Sequence, residues 1–515
     1  MTRPVDSAHP IDRAHPIDPE FAALPLTACA DAALARAAEL GASHADVRIV
    51  STRTATATVR DARPESSVDD VDLGLAVRVI HDGCWGFASA DLISVEAAVA
   101  LAERAVALAR VSRPLTTARV ELAAEPVHTG TWVSAYDVDP FAVPEAERIA
   151  LLVDRSAGLL AAAGVDHVDA QFMAVKERVL YADLAGTQTL QQRVRLDVDW
   201  TAVAVDPVTG AFESMRTCAP PVGRGFEHLT GGPGCWDFDA ELARLPELLA
   251  AKVRAPSVTP GRYTLLIDPS NLWLTIHESV GHATELDRAL GYEANYAGTS
   301  FATPDLLGQL RYGSPLMTVT GDRTVEHGLS TVGWDDEGVA AQSFDLVRDG
   351  TLVGYQLDRA MAAEFGLPRS NGCAYADSAG HTAIQRMPNV SLQPDPDGGD
   401  VAALAAGIED GIYVVGDRSW SIDMQRYNFQ FTGQRFYRIR SGRIAEQVKD
   451  VAYQATTTDF WGSLIALGGP STYLLGGAFN CGKGQPGQVA PVSHGCPAAV
   501  FENVNVLNGA AEAGR

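Results

Sequence analysis

The pattern of hydrophobic and polar positions divides the chain into two halves of different character. In the first half, alanine- and leucine-rich segments with helical periodicity alternate with segments in which every second residue is apolar. The predicted helices cover residues 27–40, 94–110, 144–163 and 238–254. The predicted strands cover residues 45–50, 52–59, 73–80, 84–88, 168–175, 178–184 and 188–205. This order predicts an N-terminal region of one or more two-layer α/β domains with antiparallel sheets.

The second half is dominated by short strand-like segments. An apolar strand at residues 264–267 first runs into a helix that Ser270 can cap. From residue 317 onward, hairpin signals such as Asp349-Gly350 and Ser441-Gly442 separate the strands, and helices are predicted only near residues 358–365 and 401–409. We therefore expect an α+β protein, whose β-rich, barrel-like C-terminal domain carries the helix that follows residue 267.

Proline and glycine mark the expected domain boundary. The sequence Pro-Ser-Val-Thr-Pro-Gly at residues 256–261 separates an N-terminal α+β region (23–258) from a β-rich C-terminal domain (259–515). Residues 1–22 contain a doubled Ala-His-Pro-Ile-Asp unit and are predicted to form a flexible tail.

Composition excludes several classes of partner. The net charge of −24 argues against binding to nucleic acid or to an anionic membrane, since both select clustered positive charge. No apolar run approaches the ~18 residues of a membrane span, and the N-terminus lacks an apolar signal core, so we expect a cytoplasmic protein. The seven cysteines are scattered without Cys-x-x-Cys pairs, which favours reduced thiols.

The predicted helix after residue 267 carries the parts of a metal hydrolase. His277, Glu278 and His282 supply two imidazoles and a carboxylate within six residues. The histidines are five apart rather than four, which places them roughly 140° apart around a regular α-helix. They can share one ion only if the helix widens by a residue, as in a π-bulge, or ends between them. Gly281 would permit such a distortion.

A third ligand is available near the C-terminus. Cys481 lies in a glycine-rich turn, and its thiolate would complete a set of two histidines and one cysteine. Such a set leaves one tetrahedral position open for water, as in catalytic zinc sites.

The segments His-Glu-Ser-Val-Gly-His-Ala-Thr-Glu-Leu-Asp (277–287) and Asn-Cys-Gly-Lys-Gly-Gln (480–485) together resemble the TldD/PmbA family of metallopeptidases. The resemblance is to the metal-bearing, TldD-type members and covers residues 26–507. It implies that His277, His282 and Cys481 bind one divalent ion of the Zn²⁺ type and that Glu278 is the general base. It also implies a heterodimer with a metal-free homologue, with a homodimer as the alternative, and a tunnel that admits only unfolded or flexible peptide.

Further polar residues are candidates for supporting the metal ligands or binding substrate. Glu285 and Asp287 follow the second histidine and would orient a ligand imidazole, or else lie on the helix surface. The carboxylates at 335–337 would border the active-site channel, as the resemblance implies, or form a solvated turn. Resemblance also places three residues of a later loop beside the channel, although this chain departs from the family pattern between them. The candidates are Glu285, Asp287, Asp335, Asp336, Glu337, Asn371, His381 and Arg386.

Two motifs offer other chemistry. His494 and Cys496 could form a cysteine-dependent hydrolase, although nothing nearby resembles an oxyanion turn. Residues 426–443 interleave arginines with aromatics, as in a nucleic-acid platform, but the acidic net charge favours an amphipathic hairpin with a buried aromatic face.

The sequence therefore predicts a zinc-type metallopeptidase that cleaves unfolded or flexible peptides by activating a water molecule. The alternatives are a non-catalytic scaffold or partner subunit of the same fold, and the cysteine-dependent hydrolase.

Overall fold

A computed structural model describes residues 15–206, 210 and 212–512 of the chain. Its helices are α1 (Pro19–Ala22), α2 (Leu26–Glu39), α3 (Val95–Ser112), α4 (Glu145–Leu160), α5 (Glu227–Thr230), α6 (Phe238–Arg254), α7 (Pro269–Ile276), α8 (Leu286–Ala289), α9 (Arg359–Glu364), α10 (Val401–Ala406), α11 (Thr457–Gly462) and α12 (Gly509–Glu512).

The strands of the first half are β1 (His44–Arg60), β2 (Arg63–His81), β3 (Cys84–Ala90), β4 (Thr129–Val133), β5 (His167–Asp183), β6 (Gln188–Val205) and β7 (Phe212–Arg216). Those of the second half are β8 (Gly261–Ile267), β9 (Val319–Asp322), β10 (Ser343–Arg348), β11 (Thr351–Leu352), β12 (Ala374–Tyr375), β13 (Ile384–Gln385), β14 (Asn389–Leu392), β15 (Asp410–Ile422), β16 (Asn428–Arg440), β17 (Arg443–Val448), β18 (Val451–Thr456), β19 (Leu464–Leu467), β20 (Leu474–Lys483), β21 (Gln488–Cys496) and β22 (Ala499–Asn508).

One sheet joins all the strands of the first half. The order is β3-β2-β1-β5-β6-β4, with β7 paired to β6, and every pairing is antiparallel except that of β4 with β6. The two predicted helix-and-strand units share this sheet because β1 pairs with β5 along its length, from Asp46 to Arg60. Helices α2 and α3 bury their alanine-rich faces on β1–β3, while α4 and α6 pack on β5 and β6.

Local signals in the sequence are confirmed at most turns and helix ends. Ser94 caps α3 by accepting a hydrogen bond from the Ala97 amide at 3.1 Å, and α6 has the predicted bounds. Helix α7 is capped differently from the prediction: Asp268, not Ser270, accepts the first free amide. The Ser270 hydroxyl instead donates to Asp268 Oδ1 at 2.6 Å.

The second half contains the predicted barrel. Strands β15, β8, β22, β18 and β16 pair in that order, and β15 and β16 pair with each other, which closes five strands on themselves. Phe429, Phe431 and Phe436 of β16 are buried in its core, which confirms the amphipathic hairpin. Helix α7 follows β8 directly and packs against the separate β20–β21 hairpin.

The uncovered face of the first sheet meets the second half through buried charges. Arg48 Nη1 lies 3.3 Å from Asp336 Oδ2, and Arg78 Nη1 lies 3.0 Å from Glu337 Oε1. The Tyr375 hydroxyl donates to Glu177 Oε2 at 3.1 Å. These contacts couple the two halves, because an unpaired charge left at this interface would be costly.

The predicted flexible tail lies mostly outside the described residues. Residues 1–14 fall outside them, and residues 15–22 are anchored at two points: Phe21 of α1 is buried, and Asp18 accepts from Arg178 at 2.9 Å. Within the described residues, no helix is long and apolar enough to cross a membrane.

Candidate metal centre

Helix α7 runs through the interior of the second half. Its residues Leu272, Leu274 and Ile276 are buried, and Asp268 anchors its first turn. A helix buried on all sides cannot shift its face towards solvent, so the side chains that follow it are held in place by packing.

The helix widens where the two histidines occur. Residues His277–Gly281 form a π-helical turn, in which the His282 amide donates to the carbonyl of His277, five residues earlier. The extra residue brings the two imidazoles onto the same side, with ring centroids 4.7 Å apart. The predicted distortion is confirmed.

Gly281 has a different role from the one expected. Its φ of −53° is an ordinary helical value, so the turn does not need a glycine's backbone freedom. A Cβ atom at this position would lie 2.8 Å from the sulfur of Met387 and 3.6 Å from His494 Cε1. A side chain here would have to displace the Met387 thioether, so the glycine serves close packing against Met387 and His494 rather than backbone freedom.

Cys481 completes the cluster from strand β20. The pairing of β20 with β21 is irregular between Ala478 and Cys481, and Cys481 Sγ lies 3.7 Å from His282 Nε2. One ligand atom each from His277, His282 and Cys481 falls within a span of 4.8 Å, and all three residues are buried. Among the described residues, this is the only such group of potential ligands.

The hydrogen bonds of His277 point its Nε2 lone pair at the cluster. His494 Nδ1 lies 2.9 Å from the carbonyl of Val390, which can only accept, so His494 donates from Nδ1 and accepts at Nε2. His277 Nδ1 lies 2.7 Å from His494 Nε2 and therefore carries the hydrogen. Burial also lowers the pKa of both imidazoles, which favours the neutral, ligating form.

His282 is oriented by a carboxylate. Its Nδ1 lies 2.9 Å from Glu285 Oε2, and the other oxygen of Glu285 lies 3.2 Å from Lys483 Nζ. Burial alone would raise the pKa of Glu285, but Lys483, His282 and Arg288 together hold it well below the ordinary value. Since Lys483 is two residues from Cys481, this network ties the cysteine strand to the second histidine.

These contacts fit a Zn²⁺-type ion. Burial raises the pKa of the Cys481 thiol, but the adjacent His282 and the charge of Arg386 together outweigh burial, so the net pKa lies below the ordinary value. A thiolate and two neutral imidazoles with their second nitrogens engaged are the donors and outer partners that zinc selects.

Glu278 lies beside the cluster without being part of it. Its Oε2 accepts from Arg426 Nη1 at 2.7 Å. Burial raises its pKa, but His282, His277 and Arg426 together bring it below the ordinary value, which keeps the carboxylate ionised.

Two of the eight supporting candidates bind close to the cluster without touching a ligand atom. Asp287 Oδ2 lies 2.7 Å from Lys483 Nζ. Arg386 donates to the carbonyl of Cys481 and, at 3.0 Å, to that of Gln488, which fixes the two strands of the β20–β21 hairpin.

The other candidates have structural partners elsewhere. The carboxylates of Asp335, Asp336 and Glu337 are buried, so the solvated turn is wrong. Asp335 accepts from the amides of Glu337, Val339 and Ala374, while Asp336 and Glu337 meet Arg48 and Arg78. The Asn371 side chain binds the backbone of Leu357 and Tyr355, and His381 Nδ1 lies 2.7 Å from Asp377. Within the part of the chain that the structure describes, the hydrogen bonds of these five residues do not reach the metal cluster.

Sequence reasoning missed three residues of the centre. Lys483 was visible only as part of the Cys481 turn, and His494 was considered only as the base of a rival cysteine nucleophile. That rival loses support because both His494 nitrogens are engaged and Cys496 Sγ lies 3.6 Å from the carbonyl of Pro269. Arg426 was noted only as the start of the arginine- and aromatic-rich segment, and no local pattern linked it to Glu278, which is 148 residues away.

Two family models match the chain. The model described as the PmbA/TldA metallopeptidase C-terminal domain matches residues 260–508, and the one described as PmbA/TldA metallopeptidase domain 1 matches residues 45–109.

Several named proteins are similar over nearly their whole length. A metalloprotease of Methanothermobacter thermautotrophicus is 28% identical over 90% of this chain and 95% of its own. A metalloprotease TldD homologue of Haemophilus influenzae is 26% identical over 85% and 87%. A zinc metalloprotease TldD homologue of Saccharolobus solfataricus is 23% identical over 90% and 96%.

Solved structures share the fold. TldE from Thermococcus kodakarensis superposes with a TM-score of 0.67 at 15% identity, over 92% of this chain and 98% of its own. A Thermotoga maritima protein, described as a candidate modulator of DNA gyrase, superposes with a TM-score of 0.72 at 14% identity, over 93% and 99%.

Proposed function

Because this chain belongs to the PmbA/TldD family of metallopeptidases, we propose that it is a zinc-dependent peptidase acting on unfolded or flexible peptides. The observation that carries the proposal is the buried group of His277, His282 and Cys481 with the ionised carboxylate of Glu278 beside it. The non-catalytic scaffold is disfavoured because a complete ligand set and a base are both present.

The chain's own residues account for the proton transfers. When bound, the ion polarises the substrate carbonyl and makes water acidic enough to deprotonate near neutral pH. Glu278 accepts a proton from the attacking water and then donates it to the leaving amine. His494 and Glu285 hold the imidazoles in their ligating orientation throughout.

Restricted access supports an extended substrate. His277, Glu278, His282 and Cys481 are each about 5% exposed, so a folded domain would not reach them. We propose that an extended chain binds through main-chain hydrogen bonds, as an added strand. Trp420 is half exposed, and its side chain hydrogen-bonds Glu278 and helps to lower the pKa of that carboxyl. Trp420 is therefore a candidate to contact substrate side chains.

We also propose that the chain works in the cytoplasm as one half of a heterodimer with a metal-free homologue. The family resemblance supports this proposal, with a homodimer as the alternative. Co-expression of the chain with and without a homologous partner, followed by mass measurement in solution, distinguishes the two.

Metal content and peptide cleavage together test the function. Wild type should retain about one zinc per chain and cleave a flexible peptide. Glu278→Gln should retain the metal while the cleavage rate falls by at least ~10²-fold, the order of a lost general base. Cys481→Ala should lose both metal and cleavage. A metal-free protein that still cleaves peptide would contradict the proposal.

A further inference from the structure

Arg426 makes a nearly buried ion pair with Glu278. Its Nη1 lies 2.7 Å from Glu278 Oε2, and its Nη2 donates to the carbonyl of Ala297 at 3.3 Å. The side chains of Arg426 and Glu278 are 14% and 7% exposed, so solvent screens this pair only weakly.

Hydrogen bonds fix the backbone of the loop that carries Arg426. Asp423 accepts hydrogen bonds from the amides of Gln425, Tyr427 and Asn428, which closes the loop between β15 and β16. Two amides of a neighbouring loop, those of Thr299 and Phe301, donate to the carbonyls of Met424 and Gln425. Thr457 Oγ1 donates to the carbonyl of Arg426 itself at 2.7 Å.

The backbone of Arg426 is in a conformation that disfavours residues other than glycine. Its φ is +63°, in the left-handed region where glycine is unstrained and other residues are rare. A strained position that carries a charged side chain beside a proposed catalytic carboxylate points to a role for that side chain.

The neighbours of Glu278 explain why a restraint is needed. Glu278 is adjacent in sequence to His277 and interacts electrostatically with both ligand imidazoles. An unrestrained carboxylate could turn towards the cluster and become a further metal ligand, because carboxylate oxygens bind zinc readily. A base that ligates the ion is not free to accept the proton of water.

We infer that Arg426 is the positioning residue for the proposed base, holding the Glu278 carboxylate away from the metal and aimed at the attacking water. The inference rests on the proposed function. It assigns to Arg426 an effect on turnover rather than on metal binding or substrate affinity.

Arg426→Gly tests the inference directly, because the substitution removes the guanidinium group and also relieves the strain of the positive φ at this position. Glycine adopts the positive φ without strain, so the loop should keep its shape. We expect kcat to fall by roughly 10- to 100-fold, the order of one lost charge-assisted hydrogen bond, with KM within about threefold of wild type. Arg438→Ala, which removes an arginine paired with Asp410 in the same hairpin, is the matched control and should leave kcat unchanged.

Chemical rescue separates positioning from a general structural effect. Guanidinium ion at tens of millimolar should restore much of kcat to Arg426→Gly and should not restore the Arg426→Gly/Glu278→Gln double variant. Calorimetry on metal-free protein gives a readout without turnover: guanidinium should bind Arg426→Gly and should not bind the double variant.

Two results would overturn the inference: a kcat for Arg426→Gly within about threefold of wild type, or a lost kcat with neither rescue nor guanidinium binding. Failure of the proposed function is distinguishable, because then wild type itself would cleave no peptide. The calorimetric comparison still decides whether Arg426 and Glu278 form the specific guanidinium–carboxylate pair.

Discussion

His277 donates its Nδ1 hydrogen to Nε2 of His494 over 2.7 Å, and His494 passes the restraint to the backbone through the carbonyl of Val390. His494 also lies parallel to Trp273 of α7, with ring centroids 6.3 Å apart. His494 thus orients His277 in the same way that the carboxylate of Glu285 orients His282.

Replacing His494 should weaken metal binding. His494→Leu removes the acceptor that fixes the His277 tautomer, and zinc affinity should fall by roughly 10- to 100-fold, as for other outer partners of metal ligands. His494→Gln, which keeps an acceptor, should lose less. Competition with a chromophoric chelator measures both, and His381→Leu is the control because His381 pairs with Asp377 instead. An affinity for His494→Leu equal to wild type would show that the His277 tautomer does not depend on this contact.

Two of the buried cysteines, Cys481 and Cys496, should respond differently to substitution. Cys496→Ser should retain metal and full peptide cleavage, because its thiol donates to the carbonyl of Pro269 outside the metal cluster and burial raises the pKa of that thiol well above the ordinary value. Cys481→Ser should lose both. Inactivation by the change at Cys496 with metal still bound would revive the cysteine-dependent hydrolase.

Asp358 should make the fold less stable as the pH rises. Burial, reinforced by the charge of Glu337, raises its pKa from 3.8 to about 7. A carboxyl group whose pKa is higher in the folded state than in the unfolded state stabilises the fold most below its unfolded pKa. That stabilisation is lost as the pH rises through about 7.

Asp358→Asn removes the charge and can still cap α9, where Asp358 accepts from the Met361 amide at 2.9 Å. The free energy of unfolding should therefore rise at pH 8, on the order of 1–4 kcal/mol, and change little at pH 4. Urea denaturation at the two pH values measures this. Asp400→Asn is the control, because Asp400 is exposed and caps α10 by accepting from the Ala403 amide at 2.8 Å. A stability gain of equal size at both pH values would contradict a buried ionisation.

Substrate form should decide the rate of cleavage. Unfolding a stable domain costs ~5–15 kcal/mol, which lowers the fraction available as an extended chain by at least roughly 10³-fold. One sequence should therefore be cleaved when free and left intact when embedded in a stable domain. N-methylation near the cut should also protect it, since it removes a main-chain donor. Equal cleavage of all three forms, followed by mass spectrometry, would rule out the enclosed, strand-like mode of binding.

The sequence by itself determined the features that depend on neighbouring residues. Asp82-Gly83, Asp349-Gly350 and Ser441-Gly442 each join paired strands with two residues at positive φ, because these residue types tolerate that conformation. The five-residue spacing of His277 and His282 required a widened turn, since a regular helix would separate the imidazoles. Family motifs added the third ligand, Cys481.

Only the tertiary structure decided what depends on distant segments. The pairing of β1 with β5 and the closure of β15 on β16 set the sheets, and an alternating pattern gives no information about which strand is the partner. The residues around the candidate metal centre come from equally far away: His494 is 217 residues from His277, Lys483 is 198 from Glu285, and Arg426 is 148 from Glu278. These hydrogen bonds and ion pairs form because folding brings the polar side chains together in a buried site away from water. No local sequence pattern predicts which distant residues will meet there.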